Sequence, residues 1–410
     1  MSEAFIIDAC RTPRGIGKYG KGALTHMHPQ ILGASVLRAL VDRNHIATEQ
    51  VDDIIWGTSS QVNEQKGDLG RMSALTAGFD QRASGVTLDR FCGSGITSVN
   101  FAAATIKSGM EDLVIAGGTE MMSMPGRGGA GPALMDRGNL ALRATHPQSH
   151  QGVCADAIAT IEGFTREELD HAGLVSQQRA AKAIEEGAFN KSLVPVYNED
   201  GSLALDREEY PRPGTTAEAL ANLKPAFTVM ADAELDEDGM TYRKLVNQKY
   251  PDVDIEFFHH AGNSSGVVDG SAALLLASEE YANKHGLKPR ARVVASANVG
   301  DCPTLMLNAP VPAARKVLEK AGMTLDDIDL FEINEAFAVV SEKFIRDLDL
   351  DRDKVNVNGG SIALGHPIGA TGAVLIGTVL DELERRELRY GLVTMCAAGG
   401  MAPAVIIERL

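Results

Sequence analysis

Short apolar runs alternate with longer amphipathic stretches along most of the chain. Short apolar runs bounded by turns are typical of buried strands, and apolar residues spaced three or four positions apart are typical of helices. The predicted strands are residues 4–7, 53–56, 113–116, 291–295, 330–333, 392–395 and 404–407, and the predicted helices are 31–42, 95–107, 311–320 and 370–386. Strands that alternate with helices indicate βαβ units, so the pattern predicts an α/β fold around a largely parallel, buried sheet.

The pattern changes between about residue 124 and residue 260. Gly- and Pro-rich sequence at 125–132 is followed by a helical pattern at 166–186 and then by an acidic, turn-rich stretch at 228–257, here called the acidic segment. Composition of this kind predicts an inserted lobe rather than a continuation of the sheet. One hypothesis makes the acidic segment a mobile excursion; the other, more usual for a charge run, makes it a solvated surface segment.

A short internal repeat relates the two ends of the chain. Val51-Asp-Asp-Ile54 recurs as Leu325-Asp-Asp-Ile328, an offset of 274 residues, and the same offset carries Cys92 onto His366. Both of these residues precede a glycine-containing turn and a predicted helix. We interpret the chain as a tandem duplication of one α/β unit. Cys92 and His366 are then expected in equivalent loops that face each other near a pseudo-twofold axis.

Composition narrows the class of protein. The 410 residues are 44% hydrophobic and 23% charged, which is ordinary for a globular protein, and at about 150 residues per domain they predict two or three domains. A net charge of −16 argues against nucleic acid as a partner, since such binding depends on Lys and Arg. The sequence shows no signal peptide and no apolar stretch of about 18 residues, so we expect a cytoplasmic protein without a membrane partner.

Cysteine and glycine usage points to chemistry. The five cysteines are widely spaced without a CxxC pair, which indicates neither a disulfide framework nor a zinc site. Cys92 lies just before a predicted helix, whose dipole is expected to lower the thiol pKa and favour thiolate; a buried structural cysteine is the alternative. His366 lies in a stretch with five glycines in fifteen residues, 358–372. An imidazole beside a thiol is the usual way to make a thiolate nucleophile. A phosphate-binding loop is the alternative, but residues 358–372 contain neither GxGxxG nor GxxxxGK[ST].

Two more candidates follow predicted strands, where α/β proteins place their ligands. Asn334 comes directly after the strand at 330–333 and can donate to an oxyanion, although helix capping would also explain it. Cys396 follows the strand at 392–395 and precedes small residues and glycines. Two thiols and an imidazole at strand ends suggest a nucleophile and a separate acid/base.

These residues fall within six segments by which the chain resembles the thiolases, the acetyl-CoA acetyltransferases and 3-ketoacyl-CoA thiolases, over essentially its whole length. The segments occur in the family's order, and they are Cys92-Gly-Ser-Gly95, Gly117-Gly-Thr-Glu-Met-Met-Ser123, Ala261-Gly-Asn-Ser-Ser-Gly266, Asn334-Glu-Ala-Phe-Ala338, Gly359-Gly-Ser-Ile-Ala-Leu-Gly-His-Pro-Ile-Gly369 and Cys396-Ala-Ala-Gly-Gly-Met401. The resemblance implies CoA-dependent cleavage of 3-ketoacyl-CoA to acetyl-CoA and a shortened acyl-CoA, or the reverse Claisen condensation.

The resemblance also implies roles for individual residues. Cys92 is the nucleophile that becomes acylated, and His366 takes its proton. Cys396 is the acid/base for the Cα proton of acetyl-CoA, while Asn334 holds a water that, with His366, stabilises the enolate oxygen. A second oxyanion hole uses the backbone N–H groups of Cys92 and Ala398. The two-step transfer predicts ping-pong kinetics.

The fold implied by the resemblance is a duplicated α/β/α/β/α core with an inserted loop domain. Its expected parts are an N-terminal half at 1–123, completed by about 267–288, a CoA-binding loop domain at 124–266, and a C-terminal half at 289–410. No tightly bound cofactor is expected, with coenzyme A as co-substrate, acyl-CoA as the small-molecule partner, a place in fatty acid metabolism, and assembly as a homodimer or homotetramer. The residues expected to contact CoA are His150, Arg212, Phe227, Ala261, Ser265 and Phe337.

Three departures from the family pattern leave questions. Ala398 stands where glycine is usual, and Gln151 where the short-chain biosynthetic members have Met. The acidic segment is much longer than the link that the family usually has before the Ala261–Gly266 segment. Three possibilities stay open: it covers the nucleotide of CoA, it extends the acyl pocket, or it does neither. Two other functions stay open: a decarboxylating condensing enzyme of the ketoacyl synthase type, against which Cys396 and the Asn334 block argue, and a thiolase-like acyl-CoA-binding protein that has lost catalysis.

Overall fold

A computed structural model describes residues 3–124 and 134–410, so the Gly/Pro-rich stretch at 125–132 lies outside the described residues. In chain order the strands are Ala4–Arg11 (β1), Gly15–Ile16 (β2), Asp53–Gly57 (β3), Val86–Leu88 (β4), Leu113–Met121 (β5), Val196–Tyr197 (β6), Leu203–Leu205 (β7), Val268–Ser278 (β8), Ala291–Gly300 (β9), Leu330–Ile333 (β10), Tyr390–Thr394 (β11) and Met401–Arg409 (β12). Seven of these overlap the predicted strands. β8 was not predicted, although its apolar run 272–277 carried the signal.

The helices are Pro29–Asn44 (α1), Leu69–Ala77 (α2), Ser94–Ser108 (α3), Leu140–Thr145 (α4), Gln151–Glu162 (α5), Arg166–Glu185 (α6), Ala217–Ala221 (α7), Thr228–Ala231 (α8), Tyr242–Asn247 (α9), Glu279–His285 (α10), Pro310–Ala321 (α11), Ala338–Asp347 (α12), Ser361–Leu364 (α13) and Ile368–Arg385 (α14). The predicted helices match α1, α3, α6, α11 and α14 to within two residues at each end. No helix in the described ranges is long and apolar enough to cross a membrane.

The main sheet has the strand order β10-β11-β12-β9-β1-β8-β5-β3-β4, with β2 added beside β8. The prediction of a largely parallel sheet is wrong: only β3–β4, β3–β5 and β10–β11 are parallel, and the other pairs are antiparallel. The short connection from β11 to β12 explains part of this difference, because strands joined by a tight turn can pair only antiparallel.

The predicted duplication is visible in the strand order. β1-β8-β5-β3-β4 and β9-β12-β11-β10 follow the same path, and Val355 pairs in parallel with Phe331 where a fifth strand would lie. Asp52 accepts N–H groups at the start of β5, as Asp329 does at the start of β11. These aspartates are 277 residues apart, whereas α3 and α14 start 274 apart. The repeat of Val51–Ile54 is therefore displaced by three residues from the structural equivalence, while the offset from Cys92 to His366 agrees with the helices.

Two helices form the central layer between the halves of the sheet. α3 and α14 pack together in backbone contact, and a Cβ on Gly372 would lie 2.1 Å from the nitrogen of Ile96. α1 and α2 cover the outer side of one half, and α11 covers the outer side of the other. The result is the expected α/β/α/β/α arrangement. In this arrangement the N-terminal ends of α3 and α14 lie close together. Glycine makes this possible, because a residue with a Cβ could not approach the other helix so closely.

The long excursion between β5 and β8 carries α4 to α9 and the small β6–β7 sheet. Within it the acidic segment is not simply a solvated surface stretch, since Ala231, Tyr242, Leu245, Val246 and Ile255 are buried. Several of its carboxylates are neutralised locally; Asp236, for example, pairs with the buried Arg143. The apolar residues that lie among the acidic ones form no apparent periodic pattern. The prediction of a solvated surface segment therefore rested on the charges alone.

A buried ion cluster joins β1 to this excursion. Glu208 Oε1 lies 2.6 Å from Arg11 Nη1 and 2.8 Å from Arg14 Nη2, and all three side chains are buried. Burial alone would raise the pKa of Glu208, but the charges of Arg11 and Arg14 outweigh it and lower the pKa to about 2. The carboxylate therefore stabilises the fold above its unfolded pKa, near 4.5, and this contribution is lost as the pH falls towards 2.

Glu208→Gln is expected to lower the free energy of unfolding by roughly 3–5 kcal/mol at pH 7, because it leaves two guanidinium groups buried without a counter-charge. Urea unfolding measures the change, and the difference from the unmutated protein should shrink as the pH falls from about 4.5 towards 2. Asp80→Asn, at an exposed pair with Arg82, is the control and should have little effect. Equal losses in the two variants would contradict a special role for the buried cluster.

Candidate active site

A tight turn carries Cys92 from β4 into α3. Phe91 has φ +50°, in the left-handed region that a non-glycine residue adopts only at some cost. The hydroxyl of Ser94 accepts the N–H of Arg90 (2.8 Å) and donates to the carbonyl of Phe91 (2.7 Å), which closes the turn. Backbone strain of this kind is concentrated at functional sites. The turn places the Cys92 thiol, which is buried, against the wall of a cavity.

The thiol of Cys92 does not have the low pKa expected from its position before a helix. Burial raises its pKa to about 12, and the nearby negative charge of Glu120 adds to the effect. The sequence-based expectation of a favoured thiolate is therefore wrong, because the loss of hydration outweighs the helix dipole. Cys92 is a neutral thiol at rest and needs a base to become a nucleophile.

The hydrogen bonds around His366 determine which ring nitrogen is free. Thr371 Oγ1 donates to the carbonyl of Pro367 (2.9 Å), so it accepts from His366 Nδ1 at 2.6 Å. The proton is thus assigned to Nδ1, which leaves a lone pair on Nε2. Burial lowers the pKa of His366 to about 3, so the imidazole is neutral near pH 7. A neutral imidazole with a free Nε2 can accept a proton.

Asn334 lies beside that nitrogen. Its Nδ2 is 3.3 Å from His366 Nε2, and its Oδ1 accepts the hydroxyl of Ser361. Because Asn334 Oδ1 is oriented towards Ser361, the amide nitrogen of Asn334 is directed at the imidazole of His366. Asn334 directly follows β10, at the strand end where the sequence placed it. The structure brings these two predicted residues into contact.

Cys396 lies in the loop between β11 and β12. Gly93 and Ala397 bring this loop against the Cys92 turn: a Cβ on Gly93 would lie 2.8 Å from Pro403 Cδ and 3.4 Å from Ala397 Cβ. Burial raises the pKa of Cys396, and the neighbouring Cys92 raises it further. Two neutral thiols therefore lie close together at the meeting point of the two halves.

The loop accepts an alanine at position 398 without strain. Its left-handed residues are Gly399 (φ +76°) and Gly400 (φ +74°), and Ala398 is not among the residues with positive φ. Ala398 lines the same cavity as Cys92. A Cβ at this position therefore costs nothing in backbone conformation, so the departure from the usual glycine leaves the loop intact.

A cavity of about 200 Å³ reaches Cys92 from the surface. It is lined by Ser59, Phe91, Cys92, Met135, Gln148, Ser149, His150, Gln151, Tyr242, Met306, Ile368 and Ala398. The carboxylate of Glu120 lies behind it, where it accepts the backbone N–H groups of Ser59, Ser60 and Gly369. Those bonds connect the end of β5 to the first turn of α14.

The residues expected to contact CoA fall in two neighbouring places joined by aromatic rings. His150 lines the cavity with Cys92, whereas Arg212 and Ala261 line a second hollow of about 320 Å³. Phe227 and Phe337 extend from His150 as a row of rings: the ring centroids of His150 and Phe227 are 5.6 Å apart, and those of Phe227 and Phe337 5.9 Å. The remaining candidate, Ser265, donates its backbone N–H to Ala336, beside Phe337.

Four residues at the site had no role assigned from sequence. Thr371, Ser361 and Glu120 all lie inside or next to the glycine-rich segments that carried the resemblance, so their position was a signal. Tyr242 lies in the acidic segment, and nothing in the local sequence connects it with Cys92. No group of His, Cys, Asp and Glu suited to a metal ion occurs within residues 3–124 and 134–410.

Comparisons with known proteins agree with the geometry. Residues 4–232 match the thiolase N-terminal domain and residues 287–409 match the thiolase C-terminal domain. The chain is 39% identical to an acetyl-CoA acetyltransferase of Syntrophomonas wolfei and 41% identical to a 3-oxoadipyl-CoA/3-oxo-5,6-dehydrosuberyl-CoA thiolase of Escherichia coli, with at least 99% of each chain covered. A steroid 3-ketoacyl-CoA thiolase of Mycobacterium tuberculosis is 40% identical over 100% of this chain and 95% of its own. The crystal structure of a Bacillus anthracis acetyl-CoA acetyltransferase superposes with TM-score 0.84 at 36% identity, covering 100% of this chain and 99% of that one.

Proposed function

The chain belongs to the thiolase family of acyltransferases, and from this premise we propose that Cys92 is the residue acylated during transfer. The observation that carries the proposal is the protonation state of the site: a buried, neutral Cys92 thiol at one helix start, and a buried, neutral His366 with an unprotonated Nε2 at the equivalent start. Nucleophile and base are then both in the form that the first step requires.

In the cleavage direction His366 Nε2 takes the proton of Cys92 as sulfur attacks the 3-keto carbon. The Cα–Cβ bond breaks, and acetyl-CoA leaves as its enolate while Cys92 keeps the acyl group. Cys396 then gives its proton to the enolate carbon. A thioester enolate is costly, so donors at its oxygen contribute most; His366 and Asn334 lie together at 3.3 Å and can share this task, directly or through a water.

The second step returns the enzyme to its starting form. Free CoA loses its thiol proton to the Cys396 thiolate and attacks the S-acyl carbonyl, and the backbone N–H groups of Cys92 and Ala398 are proposed to hold the oxyanion. Collapse of the tetrahedral intermediate releases the shortened acyl-CoA and the Cys92 thiolate, which recovers its proton from His366. The reverse sequence condenses two acetyl-CoA molecules.

Coenzyme A is proposed to run from the hollow at Arg212 to the cavity at Cys92. His150, Phe227 and Phe337 form apolar and aromatic walls along this route, with Ala261 and Ser265 beside it. Arg212 is exposed and its guanidinium carbon lies 5.6 Å from the Tyr210 ring centroid, so it is free to meet a phosphate. The positive charge of Arg212 would bind an anionic ligand locally, although the net charge of the protein is −16.

A second copy of the chain is proposed to cover the outer edge of β4, giving a homodimer or an assembly of homodimers. β4 is the last strand of the sheet, and its Val86 is 44% exposed. An open edge with an exposed apolar side chain favours pairing with another strand. All five cysteines are free, which supports a reducing compartment such as the cytoplasm. A place in fatty acid metabolism remains our proposal.

The test is acetylation of the protein by acetyl-CoA, read by intact mass and located by peptide mass spectrometry. One acetyl group is expected on Cys92, released by added CoA, and Cys92→Ala should take up none. Cys10→Ala, at a buried thiol that donates to the carbonyl of Val36 and does not line the cavity, is the matched control and should be acetylated normally. Absence of an adduct on the unmutated protein, or an adduct that survives Cys92→Ala, would sink the proposed mechanism.

A further inference from the structure

The acidic segment supplies one wall of the cavity at Cys92. Its residue Tyr242 is only 4% exposed and lies at the first position of α9, among the residues that line the cavity. The ring centroid of Tyr242 is 5.4 Å from that of His150, on the proposed route of CoA. A side chain that is far away in sequence from Cys92 therefore shares the space in which the acyl group must lie.

Tyr242 is held in place from both sides. The hydroxyl of Ser149 donates to the carbonyl of Tyr242 at 2.8 Å, and the Thr241 hydroxyl caps α9 by accepting the N–H of Lys244 at 3.1 Å. The next turn of α9 buries Leu245 and Val246. The backbone that carries the Tyr242 ring is therefore anchored, and packing of Leu245 and Val246 opposes a shift of α9 away from the cavity.

A cluster of ion pairs links the acidic segment to the segment that carries Met135, another residue of the cavity lining. The buried Arg143 pairs with Asp136 (2.8 Å) and with Asp236. Asp136 follows Met135, which lines the cavity, and Asp236 belongs to the acidic segment. One guanidinium thus links the segment that carries Met135 to the acidic segment.

The size and lining of the cavity restrict its contents. Its volume of about 200 Å³ is below the roughly 300–1,000 Å³ of sites that enclose drug-sized ligands. Its walls are mainly Phe91, Met135, Tyr242, Met306 and Ile368, with neutral polar groups between them. Within the described part of the chain no Lys or Arg lines the cavity, so a carboxylate at the far end of an acyl chain would be buried without a counter-charge.

We propose that Tyr242 limits the length of the acyl chain, and that the substrates are short, uncharged 3-ketoacyl thioesters. This inference rests on the proposed role of Cys92, since it concerns what occupies the space beside that thiol. Tyr242 lies between the ranges 4–232 and 287–409 that match the thiolase domains.

The test compares kcat/KM for CoA-dependent cleavage of acetoacetyl-CoA and 3-ketodecanoyl-CoA. Tyr242→Ala is expected to raise the ratio of long-chain to short-chain kcat/KM by about 10-fold or more, since each methylene accommodated in an apolar site is worth about that much. Tyr242→Phe keeps the ring and should keep the ratio. Tyr250→Ala is the matched control in the same segment, because Tyr250 contacts Cys302 rather than the cavity.

An unchanged ratio in a folded Tyr242→Ala variant would overturn the inference. Should that variant fail to fold, judged by thermal unfolding, the unmutated protein still decides: acetyl-CoA should label Cys92 much faster than decanoyl-CoA, and equal rates would refute the length limit. Cleavage of 3-oxoadipyl-CoA as fast as of an uncharged substrate of equal length would refute the charge restriction. A protein that forms no S-acyl adduct at all would instead overturn the proposed function.

Discussion

Replacing Cys396 with serine is expected to lower the rate of cleavage by about 10²- to 10⁴-fold, the usual contribution of a positioned acid/base. Serine keeps the size of the side chain, but its hydroxyl is far less acidic than a thiol. Transfer of the Cα proton should therefore fail, whereas Cys92 should still accept an acetyl group, although more slowly, because a CoA thiolate can leave without a proton from residue 396. Exchange of the acetyl-CoA methyl protons with deuterium, followed by mass spectrometry, measures the first property, and intact mass measures the second.

Cys302→Ser is the matched control for this experiment. Cys302 is a half-buried thiol within 3.3 Å of Lys249 Nζ and of the Tyr250 hydroxyl, and it is not among the residues that line the cavity. Its replacement should leave both deuterium exchange and turnover largely intact. Equal losses in the Cys302 and Cys396 variants, or a loss of acetylation in Cys396→Ser, would contradict the separation of roles between the two catalytic thiols.

His366→Ala is expected to reduce the rate of Cys92 acetylation by about 10³-fold or more near pH 7, because a thiol of pKa about 12 then lacks the base that we propose for it. The pH dependence of the unmutated protein gives a second readout. Burial lowers the pKa of His366 to about 3, so acidification from pH 8 to 5 leaves the imidazole neutral and able to accept a proton. The acetylation rate should show no loss with a midpoint near 6.5, the ordinary histidine value.

Stopped-flow or quenched mixing with acetyl-CoA at several pH values measures this dependence. His171→Ala, at an exposed position of α6, is the control and should behave as the unmutated protein. Thr371→Val offers a milder change: it removes the acceptor of the Nδ1 proton and should slow acetylation by allowing the other tautomer, whereas Thr371→Ser should restore the rate. An inflection near pH 6.5 that disappears in His366→Ala would contradict a neutral, buried base.

Much of the fold was accessible from sequence because buried strands and amphipathic helices leave periodic patterns. The strand 330–333 was predicted with the bounds that the structure has, and the helix starts at Ser94 and Ile368 lie within two residues of prediction. The direction of the strands was not accessible. Apolar runs look alike in parallel and antiparallel pairs, so the number of parallel pairs was overestimated, and β8 was missed although it lies at the centre of one half.

The pKa of Cys92 illustrates a different limit. Its place before a helix is a local property, and a local argument favours thiolate. Burial and the charge of Glu120 come from residues distant in sequence, and together they have the larger effect. A similar limit applies to the acidic segment, whose charges are visible in the sequence. The packing of Tyr242 against His150 depends instead on contacts of this segment with α5 and with the segment that holds Met135.

The sequence by itself determined the family, the duplicated architecture and the identity of Cys92, His366, Asn334 and Cys396 as candidates, because these depend on local motifs and their order. The tertiary structure determined the relative positions and orientations of these candidates. Glycine contacts between α3 and α14 bring the two halves together, hydrogen bonds through Thr371 and Ser361 orient the imidazole and the amide, and burial sets the pKa of each thiol. Orientation and hydration are properties of packing, and packing joins residues whose separation along the chain carries no local signal.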